Sequence, residues 1–132
     1  MIVVDTNVIA YLWLPGERTA AAERLFKTDP DWNAPLLWRS EFRNVLAGYL
    51  RRRYLKLETA LQIADGAEEQ MRGREFSVPS AQVLARAEDS GCSAYDCEFV
   101  ALAEELGVSL ITSDEKLVKS FPSVARYLAA AK

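Results

Sequence analysis

Four acidic residues of this chain stand where their chemistry can be combined: Asp5, Glu41, Asp96 and Asp114. Oxygen-only donor sets suit hard divalent cations such as Mg²⁺ and Mn²⁺. Clustered carboxylates without a cation repel one another, so the set implies a bound metal or raised pKa values. A metal held this way can activate water and shield a phosphodiester during in-line displacement. The chain has no histidine, which removes a His general base, a Ser-His-Asp triad and two-histidine ribonuclease chemistry. It also makes zinc a poor fit. Water activated by an oxygen-bound metal is the economical route left.

Each acid also has a plain structural role open to it. Asp5 can cap the helix that follows it. Asp96 lies three residues after Ser93, the spacing of a capping box with Asp in place of Glu or Gln. Glu41 fits an ordinary first-turn acid, and Asp114 a first-turn acid behind a Ser113 N-cap. Asn7 and Ser113 are by type turn or cap residues. The joint placement of the four acids favours a site over four separate caps.

The elements that position them follow from periodicity. Ile2–Val4 is a short β-branched run that reads as a buried strand ending at Asp5. Thr6 to Leu14 carries apolar residues at helical spacing and stops at Pro15-Gly16. Further helices are expected over Glu17–Lys27, Ser40–Arg53, Leu57–Arg72, Ala81–Ala87, Ser93–Leu106 and Ser113–Phe121. Strands are expected over Trp32–Trp38, Glu75–Val78 and Val108–Thr112. Gly91 and Gly107 suit helix C-termini. Val124–Ala131 reads equally as strand or helix. Alternating strands and helices indicate an α/β fold with a small, mostly parallel sheet covered on both faces. No linker or repeat divides the chain, so residues 1–132 are expected to form a single domain. Asp5 and Asp114 then follow strands, at the carboxyl edge where such sheets bind ligands. Glu41 and Asp96 fall in first helical turns, which favour anions.

Half of the residues are hydrophobic and 27% are charged, the balance of a soluble globular chain. No apolar run approaches the length of a membrane span, and Met1–Asp5 reads as a strand rather than a signal peptide. Two cysteines, Cys92 and Cys97, make no disulfide framework, which fits a reducing cytoplasm. The net charge of −3 looks wrong for a partner of nucleic acid. Its distribution leaves a polyanionic substrate open without by itself supporting one. Setting the four site acids aside leaves 15 acids against 16 bases, and Arg39, Arg43, Arg51, Arg52, Arg53 and Lys56 concentrate around one helix. The Arg51–Arg53 run serves equally as a phosphate contact or as a solvated helix end complementing the dipole. Trp13, Trp32, Trp38 and Tyr49 belong to the core or an interface.

Asp5-Thr6-Asn7, Glu41 within Ser40-Glu41-Phe42-Arg43-Asn44-Val45-Leu46, Ala94-Tyr95-Asp96 and Thr112-Ser113-Asp114 occur in an order and spacing that resemble PIN-domain nucleases. The closer resemblance is to the VapC-type toxins of toxin–antitoxin pairs, and Leu102-Ala103-Glu104-Glu105-Leu106-Gly107 adds to it. The resemblance spans essentially the whole chain. It implies a three-layer α/β/α sandwich, Mg²⁺- or Mn²⁺-dependent RNA cleavage, a homodimer and inhibition by a cognate antitoxin. By position Asp5, Glu41, Asp96 and Asp114 take the four acidic-ligand roles, and Asn7 and Ser113 match polar positions beside them. The early aromatic segments, with Trp13 and Trp38, fit the expected dimer. Other readings are a PIN-like RNA-processing nuclease, a non-enzymatic binding module of the same fold, and a haloacid-dehalogenase-like phosphatase. The last needs a second Asp where this chain has Asn7.

Overall fold

A computed structural model describes residues 1–129. Its elements run β1 (Ile2–Val4), α1 (Thr6–Trp13), α2 (Thr19–Thr28), β2 (Trp32–Pro35), α3 (Trp38–Arg51), α4 (Leu57–Met71), β3 (Glu75–Phe76), α5 (Ser80–Ser90), α6 (Ala94–Leu106), β4 (Leu110–Thr112), α7 (Glu115–Ser120) and β5 (Ala125–Tyr127). The five strands form one sheet in the order β3-β2-β1-β4-β5, and every pairing is parallel. β1 is central, with Val3 opposite Asn33 of β2 on one side and Leu110 of β4 on the other. The chain therefore reverses its direction of travel between β1 and β4, and a crevice opens at their carboxyl ends.

Val3 and Val4 are both 0% exposed. Neighbouring strand residues point to opposite faces, so both faces of β1 are covered, as expected for a parallel sheet. Helices α1 to α4 pack on one another as one layer, and α5 packs on α6, which lies against β1, β2 and β4. This is the three-layer α/β/α arrangement. Six residues of α6, Cys97 and Phe99–Ala103, are buried. The helix is apolar through its middle because it is the central support of its layer. Trp32, Trp38, Phe42 and Phe99 are the largest buried side chains of the core. No helix among the described residues is long and apolar enough to cross a membrane.

Several boundaries differ from the sequence reading for local reasons. α2 starts at Thr19 instead of Glu17, because the Thr19 hydroxyl donates to the Leu14 carbonyl at 3.1 Å and accepts from Gly16 N–H at 3.0 Å. That stitches residues 14–19 into a turn. α3 begins at Trp38, two residues before Ser40. Its end is marked by Arg53 at φ 60°, a left-handed position that breaks the helix. α7 is capped by Asp114, whose Oδ1 accepts from Lys116 N–H at 2.9 Å, so Ser113 is not the cap. Gly91 (φ 73°) and Gly107 (φ 67°) close α5 and α6 in the left-handed conformation. The ambiguous Val124–Ala131 segment contains a strand, β5, in register with β4. Its last residues, 130 and 131, lie outside the described residues.

Candidate active site

The carboxyl end of β1 delivers Asp5. Its carboxylate is held on both oxygens: Oδ1 accepts from Thr6 N–H at 2.8 Å and Oδ2 from the Thr112 hydroxyl at 2.8 Å. Asp5 thus caps α1 while facing the crevice, so the capping role and the site role coexist. The same Thr112 oxygen accepts from Asp114 N–H at 3.0 Å. One hydroxyl therefore spans the ends of β1 and β4.

Glu41 stands in the first turn of α3. Thr6 Oγ1 donates to its Oε1 at 2.7 Å, tying α3 to the start of α1. Asp96 stands in the first turn of α6. There Ser93 supplies the cap by accepting from Asp96 N–H at 3.0 Å. The serine satisfies the helix end through the Asp96 backbone, which frees most of the Asp96 carboxylate for the crevice.

All four acids line one pocket of about 400 Å³, together with Thr6, Asn7, Leu37, Ser40, Asn44, Val45 and Tyr95. None of them shares a salt bridge with a described Lys or Arg. Burial pushes the Asp5 carboxyl above the usual aspartate range; Thr112 and Thr6 pull it back, and Asp96 and Asp114 push it further. Burial also raises Glu41, opposed by the Thr6 hydroxyl and reinforced by Asp5, Asp96 and Glu98. Asp96 is raised by burial and then by Asp114, with Ser93 and Lys116 acting the other way. Three acids that are each harder to ionise because of burial and one another form a site short of positive charge.

Among the described residues no three such side chains stand close enough to cage a metal ion as they lie. The donor set nevertheless fits a hard cation: it is oxygen-only, it has no described salt-bridge partner, and threonine hydroxyls hold Asp5 and Glu41. Mg²⁺ characteristically keeps several waters and takes only one or two carboxylates directly, which an open wall of acids satisfies.

Asn7 lines this pocket. Ser113 is not among its lining residues; its hydroxyl meets the Tyr11 hydroxyl at 2.9 Å behind Asp114. Residue reasoning gave no role to Thr6, Thr112 or Glu98. The two threonines lie inside Asp5-Thr6-Asn7 and Thr112-Ser113-Asp114, and adjacency to the acids was the available signal. Glu98 had none, because its proximity to Glu41 depends on how α6 meets α3.

Two expectations require correction. Trp38 is 0% exposed and its Nε1 donates to Glu75 at 2.7 Å, so it belongs to the core and contributes nothing to a dimer surface. Arg39 is engaged internally by Glu75 and Glu68, which removes it from the basic run. Arg51, Arg52 and Arg53 are exposed, and Arg51 lies, by the helical rise, about 15 Å along α3 from Glu41.

The PIN domain family model matches residues 2–124. The chain is 30% identical to Ribonuclease VapC3 of Pyrobaculum aerophilum over 126 residues, covering 93% of this chain and 96% of that protein. Two crystal structures share the fold at a TM-score of 0.71 and 20% identity. PAE2754 from Pyrobaculum aerophilum covers 96% of this chain and 90% of its own. FitAcB from Neisseria gonorrhoeae covers 98% of each. With the acidic motifs assembled at the switch point of a 3-2-1-4-5 sheet and a family match across nearly its whole length, this chain belongs to the PIN domain family of nucleases.

Proposed function

We propose that the protein is a Mg²⁺- or Mn²⁺-dependent endoribonuclease, the toxin of a VapBC-type pair, working in the cytoplasm as a single-domain chain. The observation that carries the reading is the pocket shared by Asp5, Glu41, Asp96 and Asp114, lined by no Lys or Arg among the described residues. The relative named as a ribonuclease supports RNA as the substrate. Membership of the PIN family sets the phosphatase alternative aside.

In this proposal the four acids are the metal-holding and catalytic residues. The bound metal would supply activated water and charge neutralisation at the phosphodiester. The chain's own residues do the positioning. Thr112 and Thr6 fix Asp5 and Glu41 against rotation. Asn7, on the pocket wall, offers an amide to the substrate. Ser113 anchors Tyr11 and so steadies the loop carrying Asp114. An antitoxin is the natural inhibitor of such a groove, and a basic side chain offered to the carboxylates would silence it. The homodimer expectation rests on the apolar groove formed by Leu12, Trp13 and Phe26 beside Gly66, now without Trp38.

The test is cleavage of a panel of structured RNAs with and without Mn²⁺. Cleavage that requires the metal and stops with EDTA is expected. Full activity after rigorous chelation overturns the metal mechanism, and no cleavage of any RNA overturns the ribonuclease reading. Co-expression with the adjacent reading frame should yield a complex; its absence favours an RNA-processing role. Light scattering should show a dimer at micromolar concentration.

A further inference from the structure

A second cavity of about 290 Å³ adjoins the acidic pocket. The two share Asn7 and Val45, so they form one groove. Along α1 its wall is Asn7, Ala10, Tyr11 and Leu14, the i, i+3, i+4, i+7 positions of one helix face. Along α3 it is Val45 and Tyr49, one and two turns beyond Glu41. The two helices that frame the carboxylates therefore continue past them, and Tyr11 lies about 9 Å from Asp5 by the helical rise. That is short enough for the nucleotide next to a cleaved bond.

Among the described residues Arg18 is the single basic residue lining this cavity, and Glu17 the single acid. The Arg18 guanidinium lies 5.7 Å from the Tyr11 ring centre and 5.6 Å from that of Tyr127. Its Nη2 donates to the Tyr127 hydroxyl at 3.0 Å. No salt bridge joins it to a described carboxylate. Tyr11 is itself anchored by Ser113. The guanidinium is thus oriented by two rings while most of its donors remain unspent, a state suited to bidentate grip of a phosphate. Charge is separated along the groove: the four acids line the first cavity and Arg18 the adjoining one. Tyr49 presents an aromatic wall beside it, and such rings take bases without regard to sequence.

We infer that this groove is a subsite for the nucleotide adjoining the cleaved bond, with Arg18 holding its phosphate and Tyr49 packing against its base. The inference rests on the ribonuclease reading and names how that site takes its substrate.

The probe is a short single-stranded RNA of randomised sequence, cleaved with Mn²⁺ and bound with Ca²⁺. Arg18→Gln is expected to raise KM about tenfold, the loss of a charge-assisted contact, with kcat little changed. The slope of log affinity against log salt should become shallower by about 0.7. Lys27→Gln removes an equal charge from the far end of the same helix and should change neither. Arg18 also ties α2 to Tyr127, so thermal melts accompany each variant. An oligonucleotide built around the cut found in the pool supplies a second arm. A neutral methylphosphonate beside the cut should weaken wild type but not weaken Arg18→Gln further. Active wild type with unchanged KM and salt slope in Arg18→Gln overturns the subsite, as does an equal loss in Lys27→Gln. A wild-type chain that cleaves no RNA overturns the ribonuclease reading and the subsite together.

Discussion

Thr112 Oγ1 donates to Asp5 Oδ2 at 2.8 Å across the ends of two adjacent parallel strands. Both residues are buried, and the same oxygen accepts the Asp114 N–H. Two acids placed 109 positions apart in the chain thereby share one small support.

Thr112→Val keeps the shape and removes both bonds. It leaves the Asp114 N–H and one Asp5 oxygen without a partner, so a cost of about 1–3 kcal/mol is expected. Loss of orientation at metal-holding residues typically lowers metal affinity or activity roughly 10–100-fold. Thr112→Ser should restore most of both. Melting curves and a Mn²⁺ titration of RNA cleavage check this; a fully active Val variant would remove Thr112 from the site.

Asp96→Asn should abolish cleavage while leaving the metal-free fold at least as stable as wild type. Asp5→Asn should also abolish cleavage, but its amide nitrogen cannot accept one of the two bonds from Thr6 N–H and the Thr112 hydroxyl, so it gains no stability. The folded pKa values of Asp5, Glu41 and Asp96 are raised. Between the unfolded and the folded value the native chain holds more protons, so metal-free stability falls as pH rises through that window. Asn removes one of the mutually repelling charges and relieves part of that cost. Wild type should gain thermal stability from Mn²⁺ by mass action, and the variant less. An active variant with the full Mn²⁺ response would make Asp96 a helix residue only.

Glu75 responds to pH in the opposite direction. Its side chain is 11% exposed; Arg39, by hydrogen bonding and charge, and the Trp38 N–H hold it below the usual glutamate range, against the effect of burial. A depressed folded value adds stability above the unfolded pKa, and that stability is lost as pH falls through the folded value. Arg39 is 37% exposed, so solvent screening limits the pair to about 1 kcal/mol. Glu75→Gln should lose that amount at neutral pH and show less acid sensitivity. Glu75→Ala also strands the buried Trp38 N–H, adding about 1–3 kcal/mol. Denaturant melts across acidic pH distinguish the two; equal behaviour would dismiss the indole contact.

Gly66 reverses the usual rule for helix interiors, where alanine stabilises by about 1 kcal/mol over glycine. A Cβ at this position would meet the Trp13 ring at 2.6 and 2.7 Å. Trp13 cannot easily yield, because its Nε1 donates to Gln70 at 2.6 Å. Gly66→Ala should therefore destabilise by about 1–3 kcal/mol, read from a denaturant melt. A stabilised variant would mean that the ring swings out freely.

Much of the candidate site was legible in the chain because its parts are local. A buried β-branched run followed by Asp places an acid at a strand end, as at Val4-Asp5 and, with one residue between, at Thr112 and Asp114. A Ser three residues before an acid marks a helix start, as at Ser93 and Asp96. Gly91 and Gly107 announced helix ends because each adopts the positive φ that costs glycine least. These signals depend on backbone sterics and hydrogen bonding within a few residues.

What tertiary structure decided were the relations between elements. The chain alone left Trp38 open to the core or an interface and counted Arg39 in a basic run. Folding set β3 beside β2, and Glu75 claimed both. Arg18 likewise had no distinguishing neighbours in sequence; its clamp forms because β5, 109 residues away, brings Tyr127 to it. The order 3-2-1-4-5 is itself non-local, and it puts the ends of β1 and β4 side by side. Spacing and propensity determined which residues could do chemistry. Which of them meet, and which are spent on one another, was set by side-chain contacts between segments distant in the chain, which periodicity does not encode.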